Sequence, residues 1–130
     1  MSGPAAGKLP TILVVDDEVR SLEALRRTLE EDFEVFVAQS AEAAQAVMAR
    51  EWVQLVLCDQ RMPGMSGVEF LKGVRSQWPD TVRIILSGYS ESEDIIAGVN
   101  EAGIYQYLLK PWQPEQLLLT LKAAANVWRL

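Results

Sequence analysis

Thr11-Ile-Leu-Val-Val-Asp-Asp17 is a β-branched and apolar run closed by two acids. Two later stretches share this design. Leu55-Val-Leu-Cys58 is closed by Asp59, and Tyr105-Gln-Tyr-Leu-Leu109 is closed by Lys110 and followed by Pro111. Read as parallel strands, these runs bring their charged ends to one edge of a sheet, where open α/β sheets hold their ligands. Three carboxylates in one pocket repel unless a cation joins them, so the constellation predicts a hard divalent metal, Mg²⁺. Carboxylates, Mg²⁺ and a lysine together suit the movement of a phosphoryl group.

Outward from these runs, strand-like and helix-like patterns alternate. Strands are expected at 11–16, 33–37, 54–58, 82–86 and 104–109. Between them, Val19, Leu22, Leu25 and Leu29 share one helical face. Ser40 is placed to cap an alanine-rich helix over 41–50. Phe70, Leu71, Val74 and Trp78 mark a third helix, Ile95, Ile96 and Val99 a fourth over 92–101, and Leu117, Leu121, Ala124 and Trp128 a fifth. Pro114 stands in that last helix's first turn, where proline is tolerated. Serial β–α units imply a parallel sheet with helices on both faces. The first, third and fourth strands are apolar nearly throughout, as central strands are. Glu34 in the second, and Gln106 with two tyrosines in the fifth, mark edges. The expected fold is therefore a doubly wound α/β domain over 11–130 with five strands in the order 2-1-3-4-5. Residues 1–10, small and rich in Pro and Gly, read as a flexible leader, and the apolar ending Val127-Trp-Arg-Leu130 reads as a helix that continues.

Composition removes several functions. The 130 residues fit one domain, and 49% of them are hydrophobic, enough for a core. A net charge of −6 argues against direct nucleic-acid or anionic-membrane binding. With one cysteine no internal disulfide forms, which fits a reducing, cytoplasmic compartment. No apolar stretch approaches the roughly 20 residues of a membrane span. The absence of histidine excludes Ser-His-Asp and Cys-His catalysis, His-ligated zinc and a phosphohistidine donor role. No glycine-rich phosphate loop of the Walker or Rossmann type is present.

Taken in order, Asp16-Asp17, Asp59, Ser87, Tyr107 and Lys110-Pro111 resemble the receiver domain of two-component response regulators over residues 11–128. Asp59-Gln-Arg-Met-Pro-Gly-Met-Ser-Gly67 and Leu86-Ser-Gly-Tyr89 resemble receivers of NtrC-type transcription regulators. Within that class, Ile104-Tyr-Gln-Tyr-Leu-Leu-Lys-Pro-Trp112 resembles the regulators of hydrogenase synthesis. The resemblance implies a flavodoxin-like fold with Asp59 as phosphoacceptor, serving a sensor histidine kinase. It implies that Asp16, Asp17, Asp59 and the backbone carbonyl of Arg61 hold Mg²⁺, Asp16 largely through water. Lys110 would pair with Asp59 at rest and with a phosphoryl oxygen afterwards, its bond to Pro111 being cis. Ser87 would be the switch hydroxyl and Tyr107 the aromatic that reports the switch. Arg61 and Tyr89 would flank the path of the hydrolytic water and, being bulky, slow the loss of phosphate.

Each residue also has a plainer reading. Asp59 could cap a turn, and the paired acids could cap the helix after the first strand, a role that Glu18 fits best. Ser87 fits a turn before Gly88, Lys110 a strand end, and Tyr107 an edge-strand core position with Tyr105 as its competitor. Cys58 reads as a small buried hydrophobe, and Trp112 as covering the site's rim or packing on the last helix. The function expected is a phosphorylation-controlled switch, not a metabolic enzyme beyond its own phosphorylation and dephosphorylation. The alternative is a pseudo-receiver, an interaction or dimerisation domain that works without phosphate. A homodimer through the fourth helix, fifth strand and fifth helix is expected, with a DNA-binding output segment beyond Leu130.

Overall fold

The computed structural model describes residues 9–88 and 92–128, and of residues 92–94, 97, 99 and 128 the backbone only. The start of the expected leader, Tyr89, residues 129–130 and the side chains of Val99 and Trp128 therefore lie outside the described residues. Ten elements alternate along the chain: β1 (Thr11–Val15), α1 (Val19–Leu29), β2 (Glu34–Ala38), α2 (Ala41–Arg50), β3 (Leu55–Asp59), α3 (Gly67–Gln77), β4 (Val82–Ser87), α4 (Ser92–Ala102), β5 (Gln106–Leu109) and α5 (Pro114–Trp128). The sheet is parallel throughout, in the order β2-β1-β3-β4-β5.

The alternation of side chains along a strand divides the core into two layers. Ile12 and Val14 of β1 join Leu22, Leu25 and Leu29 of α1 and Leu117, Leu121 and Ala124 of α5 on one face. Leu13 and Val15 join Val47 of α2, Phe70, Leu71 and Val74 of α3 and Ile95 of α4 on the other. The central strands β1 and β3 are buried at every position, whereas β2 begins exposed at Glu34 and β5 is exposed at both ends. Truncating a fully buried leucine such as Leu121 to alanine should cost about 2–5 kcal/mol.

Several expectations shift. Val19 is 56% exposed, although Leu22, Leu25 and Leu29 of the same helix are buried. Ile96 is 69% exposed, because neighbouring helical residues diverge by about 100° and Ile95 takes the inward position. Trp78 stands just beyond α3 as its C-cap and still packs against the core. β5 starts at Gln106 instead of residue 104, since Gly103, at φ 62°, must first turn the chain out of α4. The Ser40 cap forms as expected, its Oγ accepting from the Ala43 amide at 3.1 Å.

Two arginines fix the C-terminal end of α4. Arg75 of α3 donates to the carbonyls of Asn100 and Glu101, and Arg83 of β4 donates to that of Gly103. Cations suit a helix C-terminus, where carbonyl oxygens lack partners. Burial, and the charge of Arg75 beside it, hold the Arg83 guanidinium below its ordinary pKa.

Candidate functional site

Strand register places the site. Val15 lies opposite Cys58, so Asp16 and Asp59 leave the sheet side by side. Ser87 lies opposite Leu109, and the Lys110 amide donates to the Ser87 carbonyl at 2.7 Å. The C-terminal edge of the sheet thus presents Asp16, Asp59, Ser87 and Lys110 in a row, with Asp17 beside Asp16.

The three acids form one cluster. Asp16, Asp17 and Asp59 each offer a carboxylate oxygen within 4.8 Å of the others. Asp16 and Asp59 are buried and Asp17 is exposed. Burial, reinforced by the charges of Asp59 and Asp17, raises the Asp16 carboxyl to about 6 against the opposing pull of the Glu18 amide and Lys110. The Glu18 amide donates to Asp16 Oδ1 at 3.0 Å, so Asp16 serves the start of α1. Glu18, expected as the capping acid, occupies the N-cap position but makes no capping bond with its side chain. Lys110 Nζ lies 2.5 Å from Asp59 Oδ1, and the Lys110–Pro111 bond is cis.

This donor set fits a hard divalent cation. It consists of carboxylate oxygens with no nitrogen or sulfur donor, the preference of Mg²⁺ and Ca²⁺. Like charges packed this closely, two of them out of water, also need a counter-charge beyond the single lysine. Arg61, expected to lend its carbonyl, stands two residues after Asp59 and carries an exposed side chain.

The surrounding residues separate into near and far. Ser87 is fully buried and, among the described residues, its Oγ has no hydrogen-bond partner. Tyr107 is half-buried against the layer that holds α3 and α4, whereas its competitor Tyr105 is 42% exposed. Trp112 does both things expected of it. It lines a cleft of about 550 Å³ with Asp16, Leu86 and Lys110, and it packs against the core layer that includes α1 and α5. Cys58 is buried, and that burial, with Asp59 and Asp16 nearby, pushes its thiol well above the ordinary value, so it is a packing residue and no nucleophile.

Sequence reasoning missed Gln60. It is buried beside Asp59 and accepts from the Val68 amide through Oε1 at 2.9 Å. A polar residue at the end of an apolar run was the only signal, and a solvated loop residue gives the same one.

A sheet-edge acid cluster, an ion-paired acid after the third strand and a cis lysine–proline bond define a class. Residues 12–122 match the response regulator receiver domain, and the chain belongs to that family. It is 62% identical over 119 residues to the hydrogenase transcriptional regulatory protein HoxA of Cupriavidus necator. It is 66% identical over 120 residues to the protein of the same name from Bradyrhizobium diazoefficiens. Each match covers 92% of this chain and 25% of the relative, so the chain spans about a quarter of their length. The solved signal receiver domain of an HD domain-containing protein from Pseudomonas fluorescens Pf-5 superposes with a TM-score of 0.89 at 33% identity, covering 94% of this chain and 98% of that one.

Proposed function

We propose that this chain is the phosphorylation-controlled switch of a two-component regulator and that Asp59 is its phosphoacceptor. The observation that carries this reading is the Asp59–Lys110 ion pair standing within a cluster of three carboxylates. A carboxylate oxygen of Asp59 attacks the phosphorus of a phosphohistidine on a sensor kinase. The O–P bond forms as the N–P bond breaks, and the histidine nitrogen keeps the electron pair and takes a proton from solvent. Asp17, Asp59 and the Arg61 carbonyl would hold Mg²⁺, with Asp16 acting largely through water, and the ion when bound would supply the positive charge that lets two anions meet.

Lys110 leaves Asp59 for a phosphoryl oxygen, acting as a mobile point charge. The buried Ser87 hydroxyl donates to another phosphoryl oxygen. That new bond draws the end of β4 towards the phosphate, and Tyr107 turns into the space released. The face made by α4, β5 and α5 changes shape in consequence and alters contacts with a second copy or an output segment. The exposed Ile96, Tyr105 and Leu119 give that face apolar surface to bury. The names of the relatives support transcriptional control of hydrogenase genes as the output, exerted by a DNA-binding segment outside this chain. The proposed compartment is the cytoplasm. The chain is not otherwise an enzyme.

Incubation with acetyl phosphate and Mg²⁺, followed by intact mass, tests the reading. One phosphoryl adduct is expected, lost without metal and lost in Asp59→Asn. No adduct on a folded chain, with a known receiver labelling in parallel, would favour a pseudo-receiver.

A further inference from the structure

We infer that Gln60 is a positioning residue for the metal site, acting through the loop that joins Asp59 to α3. The first turn of a helix leaves amides without partners inside the helix. In α3 these are shared out in order. The Gly67 amide donates to the Gln60 carbonyl at 2.9 Å, and the Val68 amide to Gln60 Oε1 at 2.9 Å. The Glu69 amide donates to Ser66 Oγ at 3.2 Å. Two of these donors thus end on the residue that follows the acceptor aspartate. The Gln60 amide in turn donates to the Leu86 carbonyl at 3.1 Å, extending the β3–β4 ladder by one residue.

Gln60 therefore closes the neck of the loop 60–66. Its amide and carbonyl bonds fix both peptide planes between Asp59 and Arg61, and its side chain ties them to α3. Gly67 permits the close approach, since a Cβ there would lie 2.5 Å from the Asp59 carbonyl oxygen and 3.0 Å from Gln60 Cα. In this reading Gln60 contributes no ligand of its own. It holds the backbone from which the Asp59 carboxylate and the Arg61 carbonyl project. Partners that orient metal ligands in this way typically affect affinity by about tenfold or more when removed. The inference rests on the proposed Mg²⁺ site.

Gln60→Met keeps the volume and removes the acceptor. In an NMR titration with MgCl₂ alone, its dissociation constant should rise about tenfold. Labelling by acetyl phosphate should fall at low Mg²⁺ and recover at saturation. Ser66→Ala loses a cap at the same helix end. It should lower the melting temperature while leaving the Mg²⁺ constant unchanged, which separates positioning from simple stability. An unchanged Mg²⁺ constant in folded Gln60→Met would overturn the inference and leave the proposed function intact. A wild-type chain that binds no Mg²⁺ would overturn both. If Gln60→Met does not fold, hydrogen exchange of the wild-type chain decides. Mg²⁺ should slow exchange at the Val68 amide more than at Glu69, and equal effects would contradict the inference.

Discussion

The two ends of the sheet bury polar side chains equally deeply and use them in opposite ways. At the N-terminal edge, Thr11, Gln54 and Thr81 are 6%, 1% and 3% exposed. They bind their surroundings: the Gln54 amide donates to Thr11 Oγ1, Gln54 Nε2 to the Ala125 carbonyl, and Thr81 Oγ1 to the Val53 carbonyl. Of the side-chain polar atoms of these three residues, Gln54 Oε1 is the one without a hydrogen bond among the described residues. At the C-terminal edge, Asp16, Asp59 and Ser87 are 2%, 5% and 0% exposed. Here like charges crowd together, one lysine answers them, and a hydroxyl stands without a hydrogen bond. Buried polar groups are ordinarily satisfied. The first edge spends its polarity on stability, and under the proposed function the second keeps charge and hydrogen-bonding capacity for a metal and a phosphoryl group.

Substitutions at the two edges should therefore differ in kind, and the largest effect should come from Asp59→Asn. Labelling by acetyl phosphate should drop to background while the variant melts no lower than the parent, because a buried charge in a repulsive cluster has gone. A variant that still labels at the parent rate would break the contrast at its centre. Lys110→Met comes next. Removing one partner of a buried pair leaves the other charge uncompensated, and urea unfolding at neutral pH should show a loss of about 3 kcal/mol. That is the low end for such pairs because the Lys110 side chain is 38% exposed. Adding Mg²⁺ should restore most of it, and a loss that Mg²⁺ does not repair would mean that the acids do not share a cation.

The third prediction concerns pH. The Asp16 carboxyl is raised from 3.8 to about 6 in the folded chain, chiefly by burial. Ionised Asp16 therefore costs the metal-free fold its full penalty above pH about 6; the cost shrinks as pH falls below that and disappears only below 3.8, where both states are protonated. Asp16→Asn should be more stable than the parent at pH 7 by up to about 3 kcal/mol, with the advantage shrinking as pH falls below about 6 and vanishing below 3.8. Urea unfolding in a chelator across that range measures it, and an advantage that grows on acidification would contradict the burial argument. The smallest effect belongs to the opposite edge. Thr81→Val leaves the Val53 carbonyl short of a donor and should cost about 1 kcal/mol without altering Mg²⁺ binding. A change in Mg²⁺ affinity there would erase the distinction between the edges.

Much of this contrast was legible in the sequence because it depends on where apolar runs end. A run that must be buried on both faces places its first polar residue at the sheet edge, so Asp16, Asp59 and Lys110 announced their meeting. Glu34, Gln106 and the tyrosines announced the edge strands. What escaped depends on contacts between distant residues. Nothing near Val19 or Ile96 reveals that these two apolar residues stay exposed while their helix neighbours are buried. Nothing in a lone glutamine reveals that it will meet an amide eight residues away. The arginines on the end of α4 were equally silent, since exposed and buried arginines look alike in a chain. The choice between Tyr105 and Tyr107 turned on spacing from Lys110; in the fold Tyr107 is the less exposed of the two.

The most direct test of the account locates the phosphate. The chain is labelled with acetyl phosphate and Mg²⁺, reduced with borohydride to convert aspartyl phosphate into homoserine, and sequenced by tandem mass spectrometry. The account predicts homoserine at position 59 and aspartate at 16 and 17. Homoserine at 16 or 17 with Asp59 unchanged would contradict it, because the acid paired with Lys110 would not be the acceptor.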